Sequence, residues 1–349
     1  MKNILYIVWL LGLGVVAVSC KKSSCTTEPI VHDNSCLEYP ELDSSGITFF
    51  TNERFQYLKP CFNPNDPNEI IYNFRDLSSN KNQLVKFNAF SGLKTVLVEN
   101  VVCVTQPKWS RKGWIAFDRS TNSIGQVFIV MDNGGSLTQR TFYGANYGPN
   151  WDASGDNLIW QHVSEPTTSA DYYFFKQGLN EDTADTLIRN SDENNVYALH
   201  SDVSKYNVIL TNTIIDNEAF LTLRPLSFEQ PFTTLFNIFS EFQLFKIEGM
   251  TWSPTGESAY FTVNRSDELG GLYQINPATG VYTKLMDYCD SKKYVSISCS
   301  PIGHLLIGER QDVHLKRNAQ GAFTGEIMVQ SNIYSIDLKT MQETKIDLD

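Results

Sequence analysis

The sequence predicts an all-β protein: a six-bladed β-propeller of four-stranded antiparallel blades, preceded by a signal peptide and a short tether. Three observations lead there. A unit of roughly 40–50 residues recurs six times along the chain. Its apolar runs are joined by glycine-bearing turns that suit antiparallel hairpins. Apolar residues make up 42% of the chain and aromatics 12%, which is enough to bury a sizeable core.

The elements follow in order. Lys2 gives a positive start, Ile4 to Val18 is apolar but for Gly12 and Gly14, and Ala17 and Ser19 are small residues just before Cys20. The run falls short of the roughly 18–20 apolar residues that cross a bilayer comfortably, so residues 1–19 read as a cleaved signal peptide. Small residues directly followed by Cys resemble the lipobox of bacterial lipoproteins, although Ala17 stands where the strict pattern prefers Leu. That resemblance implies a diacylglycerol on the Cys20 thiol, cleavage before it and acylation of its new amino group, a membrane anchor through lipid. Lys21 is not the Asp that retains enteric lipoproteins at the inner membrane, so the resemblance implies an outer membrane location facing the periplasm. Residues 20–54 read as the tether, their first half (KKSSCTTEPIVHDNSCLEYP) being polar and without periodicity.

The repeat then begins. It reads CFNPNDPNEIIYNF from Cys61, WSRKGWIAFD from Trp109 and WDASGDNLIWQH from Trp151. It continues as HSDVSKYNVILTN from His200, WSPTGESAYFTVN from Trp252 and CSPIGHLLIGE from Cys299, with starts 48, 42, 49, 52 and 47 residues apart. In WSPTG, Pro254 presets φ for the second turn position and Gly256 closes the turn between two antiparallel strands. Ser258 to Val263 follows as a strand covered on both faces, then a third strand at Gly271 to Asn276 and a fourth at Val281 to Leu285. Each blade needs neighbours to cover its faces, and ring closure supplies them. The blades fall at about 55–99, 100–143, 144–190, 191–238, 239–288 and 289–349.

The stretch PKWSRKGWIAFDRSTNSIGQVFIVMDNGGSLTQRTF at 107–142, followed by YGPNWDASGDNLIW at 147–160, resembles the repeats of TolB-type propellers. The resemblance covers about residues 55–349 and implies the propeller module. The N-terminal α/β domain of TolB has no counterpart here, because 20–55 is too short for one.

Chemistry is sparse. No G-x-S-x-G elbow, H-E-x-x-H, P-loop or dinucleotide glycine pattern occurs. A net charge of −11 argues against nucleic acid as a partner. His32, His162, His200, His304 and His314 are scattered, so no metal and no cofactor is expected. Cys25, Cys36, Cys61, Cys103, Cys289 and Cys299 permit bridges in an oxidising compartment, but spacing does not give their connectivity, and none has C-x-x-C spacing. Trp109, Trp151 and Trp252 occupy one place in the repeat and read as wedges between blades rather than sugar platforms. Asp152 and Asp156 read as turn-formers.

The last blade is irregular. RQDVHLKRNAQGAFTGEIMVQ lies between its second strand, ending near Glu309, and its third, Ile333 to Leu338. Read as an inserted loop, it carries His314, Lys316 and Arg317, a basic cluster on an acidic chain, and is the candidate binding loop. A smaller excursion lies at 164–173. The expected function is a lipid-anchored, non-catalytic scaffold in the cell envelope that binds a protein or glycan partner. The alternative is a propeller enzyme or carbohydrate-binding component with a site in the central funnel.

Overall fold

The computed structural model describes residues 36–42, 49–121, 124–163, 172–189, 196–215, 218–227 and 231–348. The signal peptide, Cys20, Cys25, His32 and most of the excursion at 164–173 lie outside the described residues.

A short strand β1 (Phe49–Asn52) precedes the ring. Blade one is β2 (Phe55–Asn63), β3 (Asp66–Asp76), β4 (Lys81–Asn88) and β5 (Leu93–Glu99). Blade two is β6 (Lys108–Trp109), β7 (Trp114–Thr121), β8 (Ile124–Met131) and β9 (Thr138–Gln139). Blade three is β10 (Ala145–Trp151), β11 (Asn157–Val163), β12 (Tyr172–Gly178) and β13 (Asp185–Arg189). Blade four is β14 (Val196–Val203), β15 (Val208–Ile215), β16 (Glu218–Pro225) and β17 (Thr233–Asn237), followed by one helical turn, α1 (Ile238–Phe242). Blade five is β18 (Met250–Trp252), β19 (Ala259–Val263), β20 (Gly271–Ile275) and β21 (Tyr282–Asp287). Blade six is β22 (Lys292–Cys299), β23 (Leu305–Arg317), β24 (Phe323–Asp337) and β25 (Glu343–Lys345). Each blade pairs its strands in chain order.

The repeat works through one turn. Residue one of the turn offers its carbonyl to the N–H of residue four in Ser110–Gly113, Asp152–Gly155, Ser204–Asn207, Ser253–Gly256 and Ser300–Gly303. The fourth residue has positive φ each time, from 59° at Asn207 to 81° at Gly113. That conformation favours Gly, with Asn as the usual substitute. Blade four therefore corrects the sequence register. Val203, facing Ile209, holds the place of Trp252, which faces Ala259; His200 does not. Val203 and Asn207 replace both the Trp and the Gly in this unit, so neither local signal of the repeat marks it.

Packing between blades supplies the core. Cys61, Ile71, Trp109 and Phe117 join blades one and two, and Ala116, Ile129, Trp151 and Trp160 join two and three. Ile159, Phe174 and Ile209 join three and four, Leu221, Phe236, Trp252 and Phe261 join four and five, and Tyr260, Tyr294 and Leu306 join five and six. Tyr57, Tyr72, Ile307 and Ile333 close six onto one. Trp109, Trp151 and Trp252 are all buried wedges. A large side chain per interface, at about 25 cal/mol per Å² of apolar surface, makes each blade depend on its neighbours.

Blade six corrects two further expectations. The segment read as an inserted loop is paired backbone: β23 and β24 run on as one antiparallel hairpin to Arg317 and Phe323, turning at Asn318–Ala322. Alternation of Val313 and Leu315 with His314 and Lys316, facing the apolar run Ile327–Val329, suits a strand pair. Residues assigned to the tether also belong to the folded unit. β1 adds to β24 in parallel through Glu326–Val329. Cys36 is bridged to Cys289, the Leu37 N–H donates to Ser291 Oγ, and the Tyr39 N–H donates to Asp290. This strap and β1 brace the hairpin from its outer side.

Candidate functional site: the axial channel

The inner strand of every blade lines a channel on the ring axis, in two cavities. The inner strands begin at one of them, here the entry mouth. Lys59, Lys108, Asn150, Ser201, Met250 and Ser296 contribute to it, one per blade, and its volume is about 360 Å³. They end at the exit mouth, about 340 Å³, lined by Cys61, Trp109, Trp151, Val203, Trp252 and Cys299.

Lys108 and Asn150 line both cavities and divide them. Lys108 Nζ, from blade two, meets Asp202 Oδ1, from blade four, at 2.9 Å, with both side chains more than four-fifths buried. Asp202 Oδ2 also accepts the Trp252 N–H and the Thr251 hydroxyl at 2.9 and 3.1 Å. The Asn150 amide donates to Ser201 Oγ at 2.8 Å.

At the exit mouth the inward groups are spoken for. Ser298 Oγ accepts the Phe62 N–H, and the first turn residues accept backbone N–H groups of their own turns. Desolvation holds the Cys61 thiol above its usual range and pushes Cys299 up to about 12, so neither is an activated nucleophile. Trp151 and Trp252 donate their indole N–H to the Lys108 and Asp202 carbonyls, both at 3.1 Å. The corresponding carbonyl for Trp109, that of Pro60, takes the Gln106 amide instead. The Trp109 indole N–H has no partner among the described residues.

At the entry mouth the inner strands bulge, with register breaks at Leu58/Cys61, Tyr147/Asn150, Tyr197/Ser201 and Tyr294/Ser296. Second-strand side chains take up backbone N–H groups around this mouth. Asp118, fully buried, accepts from Val104, Thr105 and Gly148, and Asn212 exchanges two bonds with the Ile247 backbone. Thr262 accepts from Gly249. Lys59, at φ 53°, donates its backbone N–H to Glu309 Oε2 at 3.0 Å. Glu309 is 3% exposed. Burial raises its carboxyl above the ordinary value, opposed by Lys59 and by hydrogen bonds from Ser331 and Gln311.

The sequence-selected residues lie elsewhere. His314, Lys316 and Arg317 are exposed on the projecting end of β23, beyond the entry mouth. Lys316 pairs with Glu326 across the hairpin at 2.6 Å and Arg317 with Glu41 of the strap at 2.7 Å. His162 is tied to Asn146 and packs edge-on against Phe175. Among the described residues no three His, Cys, Asp or Glu side chains are grouped to hold a metal ion. Lys59, Asp202, Ser296 and Glu309 carry no sequence motif and were missed.

No protein-family model and no curated protein matches the chain. Solved structures do. TolB from Acinetobacter baumannii matches with a TM-score of 0.53 at 12% identity, over 86% of this chain and 65% of TolB. The chain shares the propeller fold of TolB. The β-propeller domain of the Trilobed protease from Pyrococcus furiosus matches at TM-score 0.51 and 10% identity, over 86% of this chain and 97% of that domain. Puromycin hydrolase matches at 0.54 and 11%, over 84% of this chain but 53% of its own. The set mixes TolB with hydrolytic enzymes, and a shared fold does not carry a shared activity.

Proposed function

We propose that this chain is a lipid-anchored, non-catalytic binding scaffold of the bacterial cell envelope, held through Cys20 to the outer membrane and facing the periplasm. One observation supports the non-catalytic part: the lysines lining the entry mouth are tied to a carboxylate or to backbone carbonyls. Lys108 is paired with Asp202, Lys246 with Glu248, and the Lys59 ammonium with the Cys103 and Val104 carbonyls. An acid, base or nucleophile so engaged is poorly placed to act on a substrate. What the ring offers instead is a braced hairpin rising beside the entry mouth, a rigid platform for a protein or glycan partner.

The anchor is tested by intact-mass analysis of protein from native envelopes. A chain beginning at Cys20 with acyl mass supports the reading, and cleavage elsewhere without acyl mass overturns it. Cys20→Ser is expected to leave the protein soluble or uncleaved. The scaffold role is tested by co-purification from detergent-solubilised envelopes.

A further inference from the structure

The two mouths differ in one respect. At the exit mouth the group left without a partner among the described residues is a donor, the Trp109 indole N–H, whereas the entry mouth holds acceptors without one. Ser296, 8% exposed, lines the entry mouth and its Oγ has no partner among the described residues. It stands directly across the strand pair from Glu309, so both side chains leave the same face of blade six. Asn264 lines the same cavity, and its Oδ1 is also buried without a partner.

The carboxylate completes the pattern. Glu309 accepts only from neutral groups in direct contact: the Lys59 backbone N–H, the Ser331 hydroxyl and the Gln311 amide. The nearby Lys59 ammonium is turned onto two carbonyls, at 2.8 and 2.5 Å. A buried charge without a contacting counter-charge is costly, and an unpaired buried hydroxyl or amide carbonyl adds to that cost.

We propose that the entry mouth binds an alkylammonium group, with Glu309 as counter-ion and Ser296 and Asn264 as further acceptors. Two unpartnered acceptors beside a carboxylate that no cation contacts directly suit a cationic donor, and the Lys59 ammonium, held on two carbonyls, leaves that contact open. A hard divalent cation takes six to eight oxygens and commonly more than one carboxylate, whereas Glu248, the other carboxylate of this mouth, is engaged by Lys246 at 2.7 Å. Val104, Pro149, Met250 and Val295 line the rest of the cavity and suit a short alkyl chain. Burial of Glu309, which disfavours its ionised form in the empty protein, agrees with a site that a bound cation completes. This inference rests on reading the ring as a binding module rather than an enzyme.

The test is calorimetric and NMR titration of the folded chain with n-butylammonium, with 1-butanol as the uncharged control. A lysine-bearing tripeptide is titrated separately, to tell a free amine from a lysyl side chain as the source. Saturable binding of either amine, shifts at the Met250 methyl and no response to 1-butanol are expected. Glu309→Gln, which keeps an acceptor for the Lys59 N–H, should weaken binding by roughly tenfold to a hundredfold. Ser296→Ala should weaken it severalfold, and it carries the test if the Gln variant fails to fold. No saturable binding of either amine, equal binding of 1-butanol, affinity unchanged in a folded Glu309→Gln chain, or displacement of the amine by calcium at lower concentration would overturn the assignment. Failure here with partner capture intact would leave the scaffold reading standing. Chemical turnover of the amine would instead overturn the non-catalytic reading.

Discussion

Lys108 and Asp202, from blades two and four, meet at 2.9 Å across the inner strand of blade three and close the channel between its two mouths. Asp202 at the same time fixes the backbone of Trp252 on blade five, so one carboxylate ties three blades together. Removing one member leaves the other charged and nearly buried, at a cost of about 3–5 kcal/mol. Denaturant melts of Lys108→Met, Asp202→Leu and the double variant should show large single losses and partial recovery in the double. Additive losses would mean that the pair is solvated.

The three tryptophans give a sharper test of the wedge geometry. Trp252→Ala should cost about 3–5 kcal/mol, as large-to-small changes at buried aromatics do. Trp252→Phe also removes an indole hydrogen bond that Trp109→Phe does not, because the Trp109 N–H has no partner among the described residues. The first should therefore cost about 1 kcal/mol more than the second. Equal losses would place a partner on Trp109.

The Cys36–Cys289 bridge spans 253 residues of sequence and holds the strap. Its loss should cost on the order of 2–4 kcal/mol. Cys36→Ser should melt at a lower temperature than the parent chain in oxidising buffer and match it under reductant. Identical melting in both buffers would mean that the strap adds no stability.

Glu309 makes a pH prediction. Its folded carboxyl lies above the ordinary value of 4.5, so in that window the native state holds a proton that the unfolded chain has released. Stability supplied by this proton is present at and below the ordinary value and is lost as pH rises through the folded one. Glu309→Gln has no such proton to lose, so its stability relative to the parent should improve as pH rises through that window. The lowered carboxyls of Asp76 and Asp152 act at lower pH and cancel between the two chains. A difference that does not change with pH would contradict the burial effect on Glu309.

How much of this could be read from residues follows from range. The turn that follows the Trp or Cys is local chemistry set by a left-handed fourth residue, so the four units that end it in Gly, blades two, three, five and six, announce themselves at their true register. Blade four hides because Val203 and Asn207 replace both signals. The blade-six hairpin was legible in the alternation of Val313 and Leu315 with polar residues and in the apolar run Ile327–Val329, but Lys316 and Arg317 suggested a loop. The entry mouth was not legible. Lys59 and Glu309 are 250 residues apart, and only ring closure brings them together. The Cys36–Cys289 pairing is equally remote, and nothing in cysteine spacing selects it.

The scaffold role turns on the braced hairpin. Joining His314 to Met328 through an Asn-Gly turn removes Lys316, Arg317 and Glu326 while keeping Asp312, which holds the buried Arg310 at 2.8 Å. Type I′ chemistry suits that junction, so the ring should still fold, with a lower melting temperature because the buried Ile327 and part of the β1 ladder leave with the tip. Co-purification of both chains from detergent-solubilised envelopes is the direct comparison. The account predicts that the folded, shortened chain loses the partner captured by the full-length protein. An unchanged set of captured partners from that folded chain would contradict it.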